Sequence, residues 1–293
     1  MVTRISASTV IIHIVLALAA ILCIAPVLNV IAISFSESHS ALAGKVYFTP
    51  KNFTLASYNN LLTEKAFSRA FIISTFRVLA AVSISMPILT CMAYALSKTA
   101  RAFRERNVVM WITVFTMLFH GGLIPTYMIV KSYGLIDNFW VLVLPQTMNI
   151  FNLLVLMNFF RGVPGELEEA ALIDGASAMR TLVQVYLPVS LPSLATITLF
   201  TVVHHWNDFY MGLIYMNKPV NYPLQTYLRS LTFSIEMLVN MNMDPEQIEE
   251  YMKISGLTYN ASKIVVAMLP VLVIYPLLQR YFVSGLVIGA VKE

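Results

Sequence analysis

Charged residues are scarce in this chain of 293 residues. Asp, Glu, Lys and Arg make up 12% of it, whereas hydrophobic residues make up 58%. Together with a mean hydropathy of +0.74, this composition excludes an ordinary water-soluble domain and is typical of a polytopic membrane protein. The 19 basic residues outnumber the 15 acidic ones only slightly and are scattered, so no nucleic-acid partner is expected.

Cysteine and the common catalytic motifs are also rare or missing. Cys23 and Cys91 fall in apolar stretches, where a thiol acts as a small hydrophobic group, so we expect neither a disulfide nor a metal site. Adjacent His204 and His205 would point about 100° apart on a helix and would not form a simple metal pair. The sequence has no GxxxxGK[ST] run for a nucleotide and no HExxH or GxSxG motif for hydrolysis.

Long apolar stretches dominate what is present. A bilayer-spanning helix needs roughly 20 apolar residues. Six stretches qualify, at residues 10–33, 70–96, 108–130, 139–160, 189–215 and 264–283. The first is too long for a signal-peptide core, so we expect it to remain as a membrane helix. The sequence therefore predicts an all-α, polytopic membrane protein with six transmembrane helices and both termini on one side.

The distribution of basic residues predicts on which side of the membrane the termini lie. Four of them crowd the short loop after the second span, whereas the next loop has only Lys131. They are Lys98, Arg101, Arg104 and Arg106. Because basic loops stay in the cytoplasm, we expect this loop, both termini and the loop at 162–188 to be cytoplasmic.

Two long loops, at 34–69 and 216–263, are then expected outside. The first contains a predicted short helix at 56–62 with Thr54 as its cap, and the second an acidic helix at 242–253. The simplest interpretation is that these loops are solvent-exposed connections between spans.

The segment from Glu166 to Pro192 is polar and amphipathic, unlike its neighbours. Acidic residues in its first turn favour a helix that Asp174-Gly175 ends, because glycine readily adopts the left-handed closing conformation. Ser177 is placed to cap a second helix, which continues to Leu187-Pro188. These features predict a helix-turn-helix at a membrane surface.

The spacing within this segment is specific. Glu169-Ala170-Ala171 is followed after three residues by Gly175, and after nine more by Val185, one residue and Leu187-Pro188. This pattern resembles the EAA loop of binding-protein-dependent ABC importer permeases, with Val185 in place of the commoner Ile. The alternative is an ordinary amphipathic hairpin on a membrane protein. We use the name EAA loop for residues 162–188.

The resemblance implies that the EAA loop docks on a separate ATPase subunit. The residues that would carry the coupling are Glu169, Ala170, Ala171, Asp174, Gly175, Leu187 and Pro188. The importer would sit in the bacterial inner membrane with two ATPase copies, which hold ATP and magnesium, and with a second permease, a paralogue of this chain. A periplasmic solute-binding protein would land on the outer loops, and this chain itself would bind no cofactor.

Three further stretches, at 119–127, 205–207 and 279–292, are similar to carbohydrate importer permeases of the branch that handles complex oligosaccharides and polysaccharides. This resemblance implies an oligo- or polysaccharide cargo, with alginate or related uronate oligosaccharides as the sharpest candidate. A neutral oligosaccharide is the alternative cargo.

Polar residues inside the spans are candidates for the substrate path, since unpaired polar groups are costly in lipid. They are His120, Gln146, Asn149, Asn152, His204, His205, Trp206, Asn207 and Asp208. Gln146, Asn149 and Asn152 form a loose stripe on one helical face, and the Trp206 indole could stack on a sugar ring. The alternative is that these side chains hydrogen-bond helices to one another.

Arg77 lies roughly 10 Å inside the second span. Snorkelling to the interface explains its position, and attraction of an anionic substrate is the alternative.

Two functions from other classes stay open. One is an integral-membrane glycan-processing enzyme, and the other is a channel or receptor that works without ATP. Co-purification of an ATPase and a related second membrane subunit would identify a permease instead.

Overall fold

The computed structural model describes residues 7–231 and 256–290 of the chain. Within these ranges every regular element is helical, which confirms the all-α prediction. The acidic helix predicted at 242–253 lies outside the described residues.

The α-helices follow one another with short connections. In order they are α1 (Ala7–Ser34), α2 (Ser38–Leu42), α3 (Ala56–Thr63), α4 (Lys65–Ser97), α5 (Arg106–Leu118), α6 (Leu123–Ser132), α7 (Ile150–Arg161), α8 (Gly165–Ile173), α9 (Ala178–Thr181), α10 (Leu187–Val189), α11 (Leu191–Asn207), α12 (Tyr210–Tyr215) and α13 (Leu257–Ala290). Three 3₁₀ turns lie at Phe139–Leu142, Leu144–Gln146 and Pro219–Asn221, and a π-helical turn at Leu182–Tyr186 joins α9 to α10.

Three of the predicted spans fall on single long helices, namely α1, α4 and α13, each apolar and long enough to cross a membrane. Of the other three, the stretches 108–130 and 139–160 each contain a bend between two helices, whereas 189–215 begins at a bend and consists of α11 and α12. The chain bends by 116° between α5 and α6, by 47° between Gln146 and Ile150, and by 85° between α10 and α11. The described part of the chain thus holds three unbroken spans, or six if each bent pair crosses once.

Each bend occurs where the sequence weakens a helix. Gly122 between α5 and α6 has a φ of +86°, which favours glycine. Ser190, between α10 and α11, precedes Leu191-Pro192, whose proline suits a helix start. The bend between Gln146 and Ile150 follows Pro145 and ends at Asn149, whose side-chain oxygen accepts a hydrogen bond from the Asn152 amide at 3.1 Å. Breaks in membrane helices are tolerated where polar side chains satisfy the freed backbone groups.

The described helices divide between two units. The first is formed by Met1–Ser68 and Ser230–Leu269. In it, Phe35 stacks on Tyr58 with ring centres 4.8 Å apart, and Glu64 accepts a hydrogen bond of 2.6 Å from the Tyr259 hydroxyl. The helix predicted at 56–62 is present as α3, and the Thr54 hydroxyl accepts a hydrogen bond from the Ala56 amide at 3.2 Å.

The second unit is formed by Arg69–Arg229 and Pro270–Glu293. Its main apolar core brings the end of α4 against α7, the π-helical turn and α11. The buried members are Leu89, Ala93, Tyr94, Leu96, Leu153, Leu156, Met157, Phe160, Leu182, Tyr186 and Ile197. This core holds the base of the EAA loop and the polar residues of α7 and α11 in fixed positions.

Candidate functional site

The EAA loop folds as the predicted pair of helices, α8 and α9, joined at Gly175. The Gly175 amide donates to the Leu172 carbonyl at 3.0 Å, and the Ala176 amide donates to the Ala171 carbonyl at 2.9 Å. This is the Schellman pattern of helix closure, and it requires the left-handed φ of +73° that Gly175 adopts. Ser177 caps α9 by accepting a hydrogen bond from the Arg180 amide at 3.4 Å.

Most of the EAA loop surface is open. Glu169, Ala170, Asp174, Gly175 and Pro188 are exposed, and Ala171 and Leu187 are half-buried. Large apolar side chains stand beside them, with Ile173 86% exposed and Met179 60% exposed. An apolar patch that carries a few acids and is rimmed by polar groups is typical of a protein interface.

Glu168 is the acid of this helix that turns inward. Its carboxylate contacts the Lys98 ammonium at 2.6 Å and accepts a hydrogen bond from the Tyr186 hydroxyl at 2.8 Å. Burial opposes its charge, but the hydrogen bonds from Lys98 and Tyr186 outweigh burial and hold the pKa of Glu168 below its ordinary value.

A second candidate site is a small polar pocket between α4, α7 and α11. It has a volume of about 10 Å³, room for about one water-sized group. Its polar lining is Ser85, Gln146, Thr147, Asn149, Asn152, Thr201, His204 and His205. The structure therefore brings together five of the nine residues predicted from the sequence, namely Gln146, Asn149, Asn152, His204 and His205. None of the side chains in this lining carries an acidic group.

Sequence analysis missed Ser85, Thr147 and Thr201. Small hydroxyl side chains blend into apolar helices, since they normally donate to their own backbone, as Thr201 does to the Ile197 carbonyl at 2.9 Å. Ser85 Oγ and His205 Nδ1 make no such bond. Both atoms are buried, and neither has a hydrogen-bond partner among the described residues. A buried polar group of this kind is costly unless a partner reaches it.

The other predicted path residues lie elsewhere. His120 is exposed in the break between α5 and α6, and Asn207 is exposed at the end of α11. Trp206 is 4% exposed and meets the Phe71 ring edge-on at 5.5 Å, so its face does not offer the sugar-stacking surface that the sequence suggested. Among the described residues no cluster of three His, Cys, Asp or Glu side chains could hold a metal ion.

Arg77 and Asp208 form a buried ion pair in the second unit. The Arg77 side chain is 0% exposed, so the snorkelling interpretation was wrong. One terminal nitrogen of its guanidinium pairs with the Asp208 carboxylate, its Nε donates to the Leu142 carbonyl at 3.0 Å, and its Nη1 donates to the Asp208 carbonyl at 2.9 Å. A charge neutralised in this way is not available to attract an anionic substrate.

Comparison with known proteins identifies the class to which these features belong. No family model matches the chain. The polygalacturonan/rhamnogalacturonan transport system permease protein YtcP of Bacillus subtilis is 36% identical over 273 residues, which cover 93% of this chain and 94% of YtcP. Protein LplC of the same organism is 39% identical over 273 residues, which cover 92% of this chain and 89% of LplC.

A solved structure agrees with these relatives. A chain of a bacterial ABC transporter involved in the import of the acidic polysaccharide alginate superimposes with a TM-score of 0.81 at 29% identity. The match covers 95% of this chain and 99% of that one. The EAA loop, the helical membrane fold and the near-complete match to YtcP lead to one conclusion: the chain belongs to the permease subunits of carbohydrate ABC transporters.

Proposed function

We propose that this chain imports an acidic oligo- or polysaccharide, and that its EAA loop converts ATPase closure into opening of the membrane path. As an ABC permease it is a multi-pass protein of the inner membrane and is not itself an enzyme. ATP hydrolysis belongs to a separate ATPase, and the transporter also includes a second permease and a binding protein.

The exposed surface of α8 and α9 is the observation that carries the coupling proposal. Ala170 and Ala171 are small enough to let a partner groove approach closely, and exposed Glu169 is free to pair with a basic residue there. Ile173 and Met179 supply apolar area for the same contact. The closure at Gly175 fixes the angle between the two helices, and with it the shape that the ATPase would meet.

Replacement of Gly175 by valine tests the docking. A Cβ at this position would meet no atom within 4 Å, so the left-handed φ is the sole obstacle, and valine adopts that conformation poorly. We expect Gly175→Val to release the ATPase or to uncouple transport from hydrolysis while the membrane spans stay folded. Gly134→Val is the matched control, since Gly134 also has open space and a positive φ, of +68°, but lies outside the EAA loop. Full transport with normal ATPase association in Gly175→Val would refute the docking.

The polar pocket supports a sugar path. Its amide, hydroxyl and imidazole groups suit sugar hydroxyls, which both donate and accept hydrogen bonds. Ser85 Oγ and His205 Nδ1 are available for such a group. The pocket holds one hydroxyl-sized group and not a sugar ring, so we assign it to the edge of a path whose other side belongs to the second permease.

The acidic cargo is proposed from the relatives. YtcP is named for polygalacturonan and rhamnogalacturonan, and the structural neighbour for alginate. Polygalacturonan and alginate are uronate polymers, so their carboxylates need donors or cations along the route. Because Arg77 is neutralised by Asp208, recognition of the carboxylates is assigned to the second permease and the binding protein.

Reconstituted transporter tests the cargo. Stimulation of ATP hydrolysis would be compared between uronate oligomers and neutral oligomers of equal length, each presented with binding protein. We expect stimulation by the uronate series. A preference for the neutral series would refute the acidic cargo and leave the permease assignment intact.

The loop at 34–69 is proposed as part of the landing surface for the binding protein. It is internally tied, since the Lys51 amide donates to the Ser36 hydroxyl at 3.0 Å and the Thr54 amide to the Phe35 carbonyl at 3.0 Å. It also exposes aromatic side chains, with Tyr47 69% and Phe53 67% exposed. An ordered loop with exposed aromatic rings has the composition of an interface core.

A further inference from the structure

Lys98, the residue after the end of α4, contacts two other segments at once. Its ammonium lies 2.6 Å from Glu168 Oε1 on α8 and donates to the Tyr186 hydroxyl at 3.0 Å. The Tyr186 hydroxyl in turn donates to Glu168 Oε2 at 2.8 Å. The three side chains therefore form a closed ring in which both carboxylate oxygens have a partner.

Aromatic packing holds this ring in place. The Lys98 ammonium lies 4.0 Å from the centre of the Tyr94 ring and 4.2 Å from that of Tyr186. The two tyrosine rings meet edge to face at 4.9 Å, and Phe160 meets Tyr186 at 5.6 Å. We refer to Lys98, Tyr94, Glu168 and Tyr186 as the Lys98 cluster.

The cluster is more sheltered than a surface ion pair. The side chains of Lys98 and Glu168 are 15% and 27% exposed, and Tyr186 is 4% exposed. Salt screens partly buried charges less than exposed ones, and cation–π contacts strengthen as water is removed. The Lys98–Glu168 ion pair therefore contributes more to stability than a solvent-exposed ion pair, whose net contribution is close to zero.

The position of the cluster joins three parts of the second unit. Tyr94 lies in the last turn of the 33-residue helix α4, and Lys98 directly follows that helix. Glu168 belongs to the first helix of the EAA loop, and Tyr186 to the π-helical turn that leads into α10. On α8 the neighbouring acids Glu166 and Glu169 are exposed. One face of α8 thus carries the open EAA surface, while Glu168 fixes the opposite face to α4.

We propose that the Lys98 cluster makes α8 and the end of α4 move as one body, so that displacement of the EAA loop is transmitted to a membrane-spanning helix. The four residues are positioning residues, and the proposal rests on the proposed docking of the EAA loop. Without the cluster, the ATPase would still bind and hydrolyse ATP, but α8 would shift without carrying α4 along.

The test uses the whole transporter in vesicles, with this chain, the second permease, the ATPase and the binding protein. Glu168→Gln and Lys98→Met would be compared with Glu105→Gln, an exposed acid at the start of α5. The measured quantities are the amount of co-purified ATPase and the substrate transported per ATP hydrolysed. We expect normal ATPase content and a transport ratio lowered about fivefold in both cluster variants, the population change for about 1 kcal/mol of coupling. Glu105→Gln should keep the ratio.

Two further variants guard against a folding defect. Tyr186→Phe removes one hydroxyl and keeps the packed ring, so it should lower the ratio less while the yield stays normal. Because Glu168 and Lys98 act through each other, the double variant should be no worse than either single one.

An unchanged transport ratio in Glu168→Gln and Lys98→Met would overturn the proposal. Loss of the ATPase from both variants would also overturn it, because the residues would then act in docking itself. Failure of the unaltered chain to retain the ATPase would refute the docking of the EAA loop instead.

Discussion

At the scale of single residues, the buried Arg77 is paired with Asp208 inside the second unit. The Arg77 guanidinium also donates to the Gln146 side chain at 3.3 Å, so one arginine connects α4 to the 3₁₀ turns and to the end of α11. A buried pair of this kind costs more when one partner is lost than it contributes when intact, because the remaining charge has no compensation.

Asp208→Asn should therefore destabilise the chain strongly. Loss of the carboxylate leaves Arg77 buried as an unmatched cation, at a cost of about 3 kcal/mol or more. Thermal unfolding of the purified transporter in detergent measures it. Asp137→Asn removes an acid from the more exposed pair with Lys218 and should cost much less. Equal unfolding temperatures for the two variants would contradict this account of Asp208.

The two adjacent histidines should respond differently to alanine. His204 is exposed and lines the polar pocket, so His204→Ala should leave assembly intact. Because one hydrogen bond to the substrate is lost, the substrate concentration that gives half-maximal ATPase stimulation should rise about fivefold. His205 is 1% exposed, so His205→Ala should lower the yield of assembled transporter. If His204→Ala loses assembly but each remaining complex transports normally, His204 connects helices and does not line the path.

Glu168 should make stability fall in acid. Its pKa is below the ordinary value of 4.5, so its contribution is present above that value and is lost as the pH falls through the lower, folded pKa. Unfolding temperatures measured from about pH 6 to about pH 3 should fall less steeply for Glu168→Gln than for the unaltered chain. Identical profiles would show that Glu168 does not titrate with folding.

At the scale of helices, the bends are the main structural feature. A straight helix through 108–130 would satisfy its own backbone and present no polar break, whereas the bend at Gly121-Gly122 places His120 in an open connection. Likewise, the break before α7 releases Asn149 to cap that helix and brings its side chain to the polar pocket.

Two neighbouring glycines give a matched test of the first bend. Gly122 has a φ of +86° and no atom near a potential Cβ, so Gly122→Ala should cost roughly 1–3 kcal/mol through backbone strain alone. Gly121 lacks a positive φ, and its Cβ would lie 3.8 Å from Pro125 in ordinary contact. Gly121→Ala should be tolerated in thermal unfolding and transport assays. Equal tolerance at both positions would argue against a fixed bend.

At the scale of the whole molecule, apolar surface remains uncovered. The 18-residue apolar window of α1 has no buried residue, and Trp111 and Leu118 on α5 are 74% and 79% exposed. Lipid covers such surface in part, and in the proposed sugar path the second permease supplies the side that the polar pocket lacks.

The second permease should therefore be indispensable. Vesicles with this chain, the ATPase and the binding protein should show no cargo-stimulated ATP hydrolysis, and adding the paralogous permease should restore it. An empty-membrane preparation and a transporter with an inactive ATPase provide the baselines. Full stimulation without the paralogue would mean that two copies of this chain form the path.

The sequence by itself determined the class of the protein and the local form of its EAA loop. Hydrophobic length identifies membrane helices because the bilayer requires roughly 20 apolar residues. The turn at Gly175 and the cap at Ser177 depend on interactions within a few residues, so the pattern alone predicts them.

Contacts between distant segments were decided only by the tertiary structure. Arg77 and Asp208 lie 131 positions apart, and Lys98 and Glu168 lie 70 apart, so no local pattern indicates either pair. The burial of Trp206 against Phe71 likewise depends on how helices pack, and so does the angle at which the chain bends within 108–130 and within 139–160. Hydropathy measures how apolar a stretch is, but the direction in which each side chain points is set by the neighbouring helices.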